Sequence, residues 1–140
     1  QKDIGLYIGT SYGKELLKSD LFNTAEYIIP VPLHPKKQKQ RGYNQSELIA
    51  QGISQSMNIP LDIKTLIKIN ETKTQTHKSR FSRWENVKEV FELKEYHHLT
   101  NKHIMLVDDV ITTGSTIESC IIQLLKVPGI KISIATMACA

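Results

Sequence analysis

The strongest constraint on this chain is a junction in its last third. Ile104, Met105, Leu106 and Val107 are continuously apolar, as a strand covered on both faces must be. They lead straight into two adjacent carboxylates, Asp108 and Asp109, and then into a hydroxyl-rich turn, Thr112-Thr113-Gly114-Ser115-Thr116. Beyond the turn, Ile117, Cys120, Ile121, Leu124 and Leu125 recur at helical spacing until Pro128-Gly129 stops them. Buried strand, polar turn and amphipathic helix are successive parts of an α/β unit, and ligands in such folds gather beyond the carboxyl ends of the strands.

The rest of the chain repeats the alternation. Leu16, Leu17 and Leu21 make a helical stripe over residues 11–22, behind a start signal at Thr10 and Ser11. Tyr27, Ile28, Ile29, Val31 and Leu33 read as a buried strand that Pro30 and Pro32 turn into a constrained loop. A cationic loop follows over residues 34–41. A helix begins near Asn44 with Leu48, Ile49, Ile53 and Met57 inward, and Asn58 and Pro60 end it. Leu66, Ile67 and Ile69 suggest a short strand, residues 71–86 a polar lid or binding loop, and Val87, Val90, Phe91 and Leu93 another strand. Residues 130–138 alternate as a closing strand. The glycines and prolines look like scattered punctuation. The expectation is one α/β domain over residues 1–140 with a mainly parallel central sheet flanked by helices.

The junction has a chemistry of its own. Backbone amides at the start of a helix, with the hydroxyls of Thr112, Thr113, Ser115 and Thr116, suit a dianionic phosphate. Gly114 lets the chain approach it closely. Two ionised carboxylates repel a bare phosphate, so Asp108 and Asp109 should face donors such as neighbouring sugar hydroxyls, with Mg²⁺ close by. The alternative, that the two aspartates cap a helix and the threonines make a turn, needs only one such residue and leaves the combination unexplained. Neither a P-loop nor a dinucleotide-binding glycine pattern is present.

Residues 106–116 resemble the phosphoribosyl-pyrophosphate motif of the type I phosphoribosyltransferases. Within that group, Val31-Pro-Leu-His-Pro35, Arg41-Gly-Tyr-Asn-Gln45, and Gln75 followed by Arg83 and Asn86-Val87 resemble the ComF/GntX branch, the competence-associated amidophosphoribosyltransferase-like proteins. The resemblance implies a type I phosphoribosyltransferase-like fold and a transferase that binds phosphoribosyl pyrophosphate. Such an enzyme moves the ribosyl 5-phosphate to a nitrogen nucleophile and releases pyrophosphate. It implies that Thr112, Thr113, Gly114, Ser115 and Thr116 hold the 5′-phosphate and that Asp108 and Asp109 bind the ribose hydroxyls. Leu33, His34, Lys36, Lys37 and Arg41 would belong to the pyrophosphate loop, where Arg41 can bind an oxyanion bidentately. The cofactor implied is Mg²⁺, carried mainly by ligand oxygens, with Asp109 reaching it through a water and no direct protein ligand. Residues 71–86 correspond to the family's flexible hood, whose Arg83 and Lys78 would take the catalytic role of neutralising the departing pyrophosphate. Lys78 and Phe81 depart from the branch's usual residue types.

Purine-salvage relatives carry an acidic residue where this chain has Thr112, which disfavours direct purine salvage and leaves the acceptor open. A second reading is a non-catalytic module in DNA uptake or competence that senses a nucleotide or contacts single-stranded DNA. A net charge of +4 and 6% aromatic residues give that reading little stacking surface. Partners on these readings are phosphoribosyl pyrophosphate or a nucleotide, competence proteins or single-stranded DNA, and a second copy in a homodimer. No apolar run approaches a membrane span. Cys120 and Cys139 lie in apolar stretches without zinc-ligand spacing, so both are expected as buried reduced thiols of a cytoplasmic protein. The family's N-terminal zinc-binding cysteine pairs are not among these residues. The five histidines form no metal-ligand pair on a helix face, and of them only His34 falls in an expected site loop.

Overall fold

The computed structural model describes residues 2–69 and 90–140 of the 140-residue chain. Strand β1 (Tyr27–Pro30) pairs in parallel with β4 (His103–Ile111), and β4 in parallel with β5 (Lys131–Cys139). The short strands β2 (Leu66–Lys68) and β3 (Phe91–Leu93) form a separate antiparallel pair. Helices α1 (Lys2–Leu16), α2 (Pro35–Arg41), α3 (Gln45–Met57) and α4 (Ser115–Leu124) complete the chain's α/β architecture.

Strand β4 is the axis of the molecule. Ile104, Met105, Leu106 and Val107 have no exposed surface, and their alternating side chains divide the core in two. Met105 and Val107 pack with Leu16, Ile49, Ile53 and Met57 of α1 and α3. On the opposite face, Ile104 and Leu106 pack with Leu66, Phe91, Ile117, Cys120 and Leu124. Each fully buried aliphatic side chain contributes about 1.5–3 kcal/mol. The sheet is therefore held firmly at its centre, and its carboxyl end is free to carry polar groups.

Four expectations are corrected. The first helix runs from Lys2 to Leu16 rather than over residues 11–22, and Leu17 and Leu21 are exposed. Thr10 is not its start but lies inside it, its Oγ1 donating to the Leu6 carbonyl at 2.8 Å. The buried face of α1 is a stripe of Gly5, Gly9 and Gly13 ending at Leu16. A Cβ on Gly9 would strike the Ile49 carbonyl, and one on Gly52 the Leu6 carbonyl, so these glycines let α1 and α3 touch backbone to backbone. They are packing residues rather than punctuation. Each costs about 1 kcal/mol of helix propensity, which the close contact offsets.

Residues 35–41 are helix α2, not a loop. Pro35 occupies the first turn, the His34 ring accepts from the Lys36 amide at 3.2 Å, and Gly42 ends the helix with φ 84°. Proline at the start and glycine just past the end are the expected asymmetry of a short helix. Cys139 is the fourth correction. Cys120 is buried, but Cys139 is exposed, because β5 is an edge strand among the described residues and Cys139 lies at its end. Helix α3 follows expectation, capped by the Asn44 side chain and closed by Asn58 in the left-handed region. No helix of the described residues is long and apolar enough to cross a membrane.

Candidate functional site

Pro30, at the carboxyl end of β1, lies opposite Val107, and the Val31 amide donates to the Val107 carbonyl at 2.8 Å. The loop after β1 therefore begins beside the segment of β4 that leads into Asp108. Asp108 and Asp109 lie within β4 rather than after it, with Val110 and Ile111 still paired to β5. Alternation along the strand separates them. Asp108 is buried and Asp109 half-buried.

Asp108 Oδ1 accepts two hydrogen bonds, from the Ser46 hydroxyl at 3.1 Å and from the Asp109 amide at 2.9 Å. The Asp109 amide also approaches Ser46 Oγ at 3.3 Å. Asp109 Oδ1 accepts from the Val110 amide at 2.9 Å. Burial, and then the adjoining Asp109 carboxyl, push Asp108 up from the ordinary carboxylate range to about 6, against the Ser46 hydroxyl and the Asp109 amide that favour its ionised form. A pair of neighbouring carboxylates with one raised titration is a donor-seeking surface, suited to a diol.

The turn after β4 is open. Thr112, Thr113, Ser115 and Thr116 are exposed, while Gly114 sits at the start of α4 with φ 84°. Thr113 Oγ1 lies 3.0 Å from Ser115 Oγ and accepts from the Ser115 amide at 3.3 Å. Gly114, not either aspartate, occupies the helix cap, which removes the reading of the acidic pair as a capping device. Hydroxyls and amides thus cluster at the N-terminus of a ten-residue helix directly after the carboxylates.

The loop from Val31 carries Leu33 and His34 half-buried, and Lys36, Lys37 and Arg41 are exposed on α2. Lys37 lies close enough to the half-buried Lys68 of β2 to lower its amine, after burial, which is the larger cause. A cleft of about 180 Å³ opens behind this loop, lined by Pro32, Leu33, Gln38, Asn44, Glu47 and Lys68 among others. Lys78 and Arg83 lie outside the described residues, as do Gln75, Phe81, Asn86 and Val87.

Two contributors are missing from the sequence reading. Ser46, the second residue of α3, holds Asp108. Asn44 does more than cap its helix, since its Nδ2 donates to the Val31 carbonyl at 3.1 Å while its Oδ1 accepts from the Ser46 amide at 3.1 Å. Asn44 belongs to the Arg41–Gln45 motif that carried the resemblance and Ser46 follows it directly, but only the capping pattern was visible in one dimension. Two histidines, His98 and His103, are held by neighbouring side chains away from these residues. His98 Nε2 lies 2.8 Å from Asp62 Oδ2 beside a wider cavity of about 660 Å³ that contains none of the expected site residues. His103, the first residue of β4, lies between Thr24 and Ser133.

Three comparisons bear on this geometry. A family profile for the phosphoribosyl transferase domain matches residues 44–139. Competence protein F of Haemophilus influenzae is 40% identical over 108 residues, which cover 76% of this chain and 46% of that protein. The DNA utilization protein YhgH of Salmonella typhi is 38% identical over 90 residues, covering 64% and 39% of the two chains. The chain thus spans less than half the length of these curated relatives. Among solved structures, a purine phosphoribosyltransferase from Pyrococcus horikoshii superposes with a TM-score of 0.58 at 20% identity, over 98% of this chain and 72% of that one. That likeness establishes the type I phosphoribosyltransferase fold. The resemblance to competence-associated proteins, drawn from residues 31–35 and 41–45 and from Gln75, Arg83, Asn86 and Val87, is borne out by the relatives.

Proposed function

We propose that this chain, which belongs to the phosphoribosyl transferase domain family, binds phosphoribosyl pyrophosphate at the carboxyl end of β4 and transfers its ribosyl 5-phosphate to a nitrogen nucleophile. The observation that carries the reading is the succession of an adjacent carboxylate pair, one buried and one half-buried, and an open hydroxyl-and-amide turn at a helix N-terminus. Asp108 and Asp109 accept from the ribose hydroxyls, and Thr112, Thr113, Gly114, Ser115 and Thr116 hold the 5′-phosphate. Leu33, His34, Lys36, Lys37 and Arg41 face the diphosphate from the neighbouring loop and α2. Asp109, half-buried next to Asp108, would reach Mg²⁺ through a water, and the ion would neutralise ligand phosphate oxygens. In the transfer, the nitrogen lone pair forms the bond to C1 as the C1–O bond breaks and pyrophosphate leaves with the electron pair. Positioning and electrostatics suffice, so no protein nucleophile is required. Arg83, at a position that matches the family, and Lys78, a cation of the same stretch that departs from the family's usual residue, are assigned the leaving-group charge.

A second reading has its own support. The relatives are named for competence and DNA utilization, and α2 presents Lys36, Lys37, Lys39 and Arg41 exposed, with no acidic residue in the helix. On that reading the fold keeps the ligand site without turnover, and the cations contact single-stranded DNA. An assay of pyrophosphate release with a panel of amines and nucleobases separates the two. Release that needs an acceptor and is lost in Asp108→Asn/Asp109→Asn supports transfer. Ligand binding without release, together with salt-sensitive binding of single-stranded DNA, supports the non-catalytic module.

A further inference from the structure

We propose that Ser46 is a positioning residue for ribose recognition, holding the Asp108 carboxylate in the orientation that accepts from the sugar hydroxyls. The inference rests on the phosphoribosyl reading above and deepens it. Ser46 is 5% exposed and lies on α3, whereas the carboxylate it binds is on β4, 62 positions away in sequence. A carboxylate at a strand end rotates about its own side chain unless something fixes its plane. Here the Ser46 hydroxyl and the Asp109 amide both bind the same oxygen, Oδ1, from two elements. With Oδ1 occupied, recognition of a ligand hydroxyl by Asp108 falls to Oδ2.

Ser46 is itself fixed from behind. Its amide donates to Asn44 Oδ1, and Asn44 Nδ2 donates to the carbonyl of Val31, the residue that follows β1. Asn44 is buried, at 8% exposure. A continuous polar strut therefore runs from the pyrophosphate-side loop through the start of α3 to the ribose-side carboxylate. A network in which every member is partnered holds its parts to a single arrangement. A serine serving only to begin a helix would need no bond to another element's carboxylate.

The test compares two probes on one protein. Ribose 5-phosphate carries the ring hydroxyls, and tetrahydrofurfuryl phosphate carries the same ring oxygen and phosphate without them. Wild-type chain and the variants Ser46→Ala and Ser46→Thr are titrated with each, and folding is checked by urea midpoint. The Ala change deletes one buried atom and adds none. Ser46→Ala is expected to weaken ribose 5-phosphate about tenfold, the size of one lost hydrogen bond to a charged group, and tetrahydrofurfuryl phosphate less than about twofold. Ser46→Thr, which keeps the hydroxyl, is expected to restore most of the preference. Equal loss for both probes, or an undiminished preference in Ser46→Ala, overturns the positioning role while leaving the ribose site standing. A wild-type chain that binds both probes alike overturns the ribose site itself, and this inference with it.

Discussion

The two ends of strand β4 hold one buried titratable group each, and they treat it in opposite ways. At the amino end, His103 sits with Thr24 Oγ1 2.9 Å from Nδ1 and Ser133 Oγ 2.6 Å from Nε2, and its amide donates to Glu26 Oε1 at 3.2 Å. Both ring nitrogens are partnered by neutral hydroxyls, and burial, with Lys131 nearby, lowers the imidazole so that it stays neutral. At the carboxyl end, Asp108 is buried next to a second carboxyl, and burial again favours its neutral form. Four fully buried aliphatic residues separate them. The amino end spends its polar groups on the fold, while the carboxyl end leaves Asp109 half-buried and the hydroxyls of Thr112, Thr113, Ser115 and Thr116 exposed. That division is what parallel α/β sheets produce, because the turns at the carboxyl ends enter helices by their N-termini.

The largest effect expected on this contrast is His103→Ala. It strands two hydroxyls and leaves a void, and it should cost about 2–3 kcal/mol by urea denaturation. Ligand affinity should stay within about twofold, since the lost ring is at the wrong end of the strand. Gly114→Val should strike the other end. A Cβ there meets nothing within 4 Å, so the cost is backbone strain at φ 84°, about 1–2 kcal/mol. The shifted amides should weaken phosphate about tenfold in the same titration.

Asp108→Asn should raise stability while destroying ribose recognition. Asp108 titrates near 6 in the fold against an ordinary 3.8, so its folded form holds the proton more tightly. The stability it contributes is complete below pH 3.8 and is lost as pH rises through 6. The amide keeps an acceptor for Ser46 and carries no charge. A gain of about 1 kcal/mol at pH 7, after allowance for solvent at the tip, should therefore disappear near pH 4. His103 has the opposite sign and the smallest effect. Its folded value is lowered, so its contribution is complete above pH 6.5 and falls away as pH drops below that. Urea midpoints of wild type and His103→Asn between pH 5 and 7.5 should show the slope flattened in the variant.

Much of this site was legible in the chain itself, because its residues are contiguous. Apolar strand, Asp108-Asp109, hydroxyl turn and helix follow one another within residues 104–125, and local pattern is what a sequence displays best. What escaped depends on contacts between elements. Gly5, Gly9 and Gly13 lower helix propensity, and only the close approach of α3, by its backbone at Gly9 and by side chains at Gly5 and Gly13, explains why a helix forms over them. Helix α2 hid in a run of cations because its signals are two single residues, Pro35 and Gly42. Ser46 was one polar residue in an amphipathic helix until the fold brought Asp108 to it. Cys139 looked buried from its apolar neighbours, but no strand among those described covers that edge of β5.

The central claim, that the carboxyl end of β4 is a ribosyl-phosphate site, is tested most directly by calorimetric titration with phosphoribosyl pyrophosphate, with and without Mg²⁺. Wild type and Asp108→Asn/Asp109→Asn are compared, and the double variant keeps side-chain shape while removing both charges. Saturable, Mg²⁺-dependent binding by wild type, weakened about 100-fold or more in the variant, is the predicted result. No heat from folded wild type, or equal affinity in the two proteins, would contradict the account.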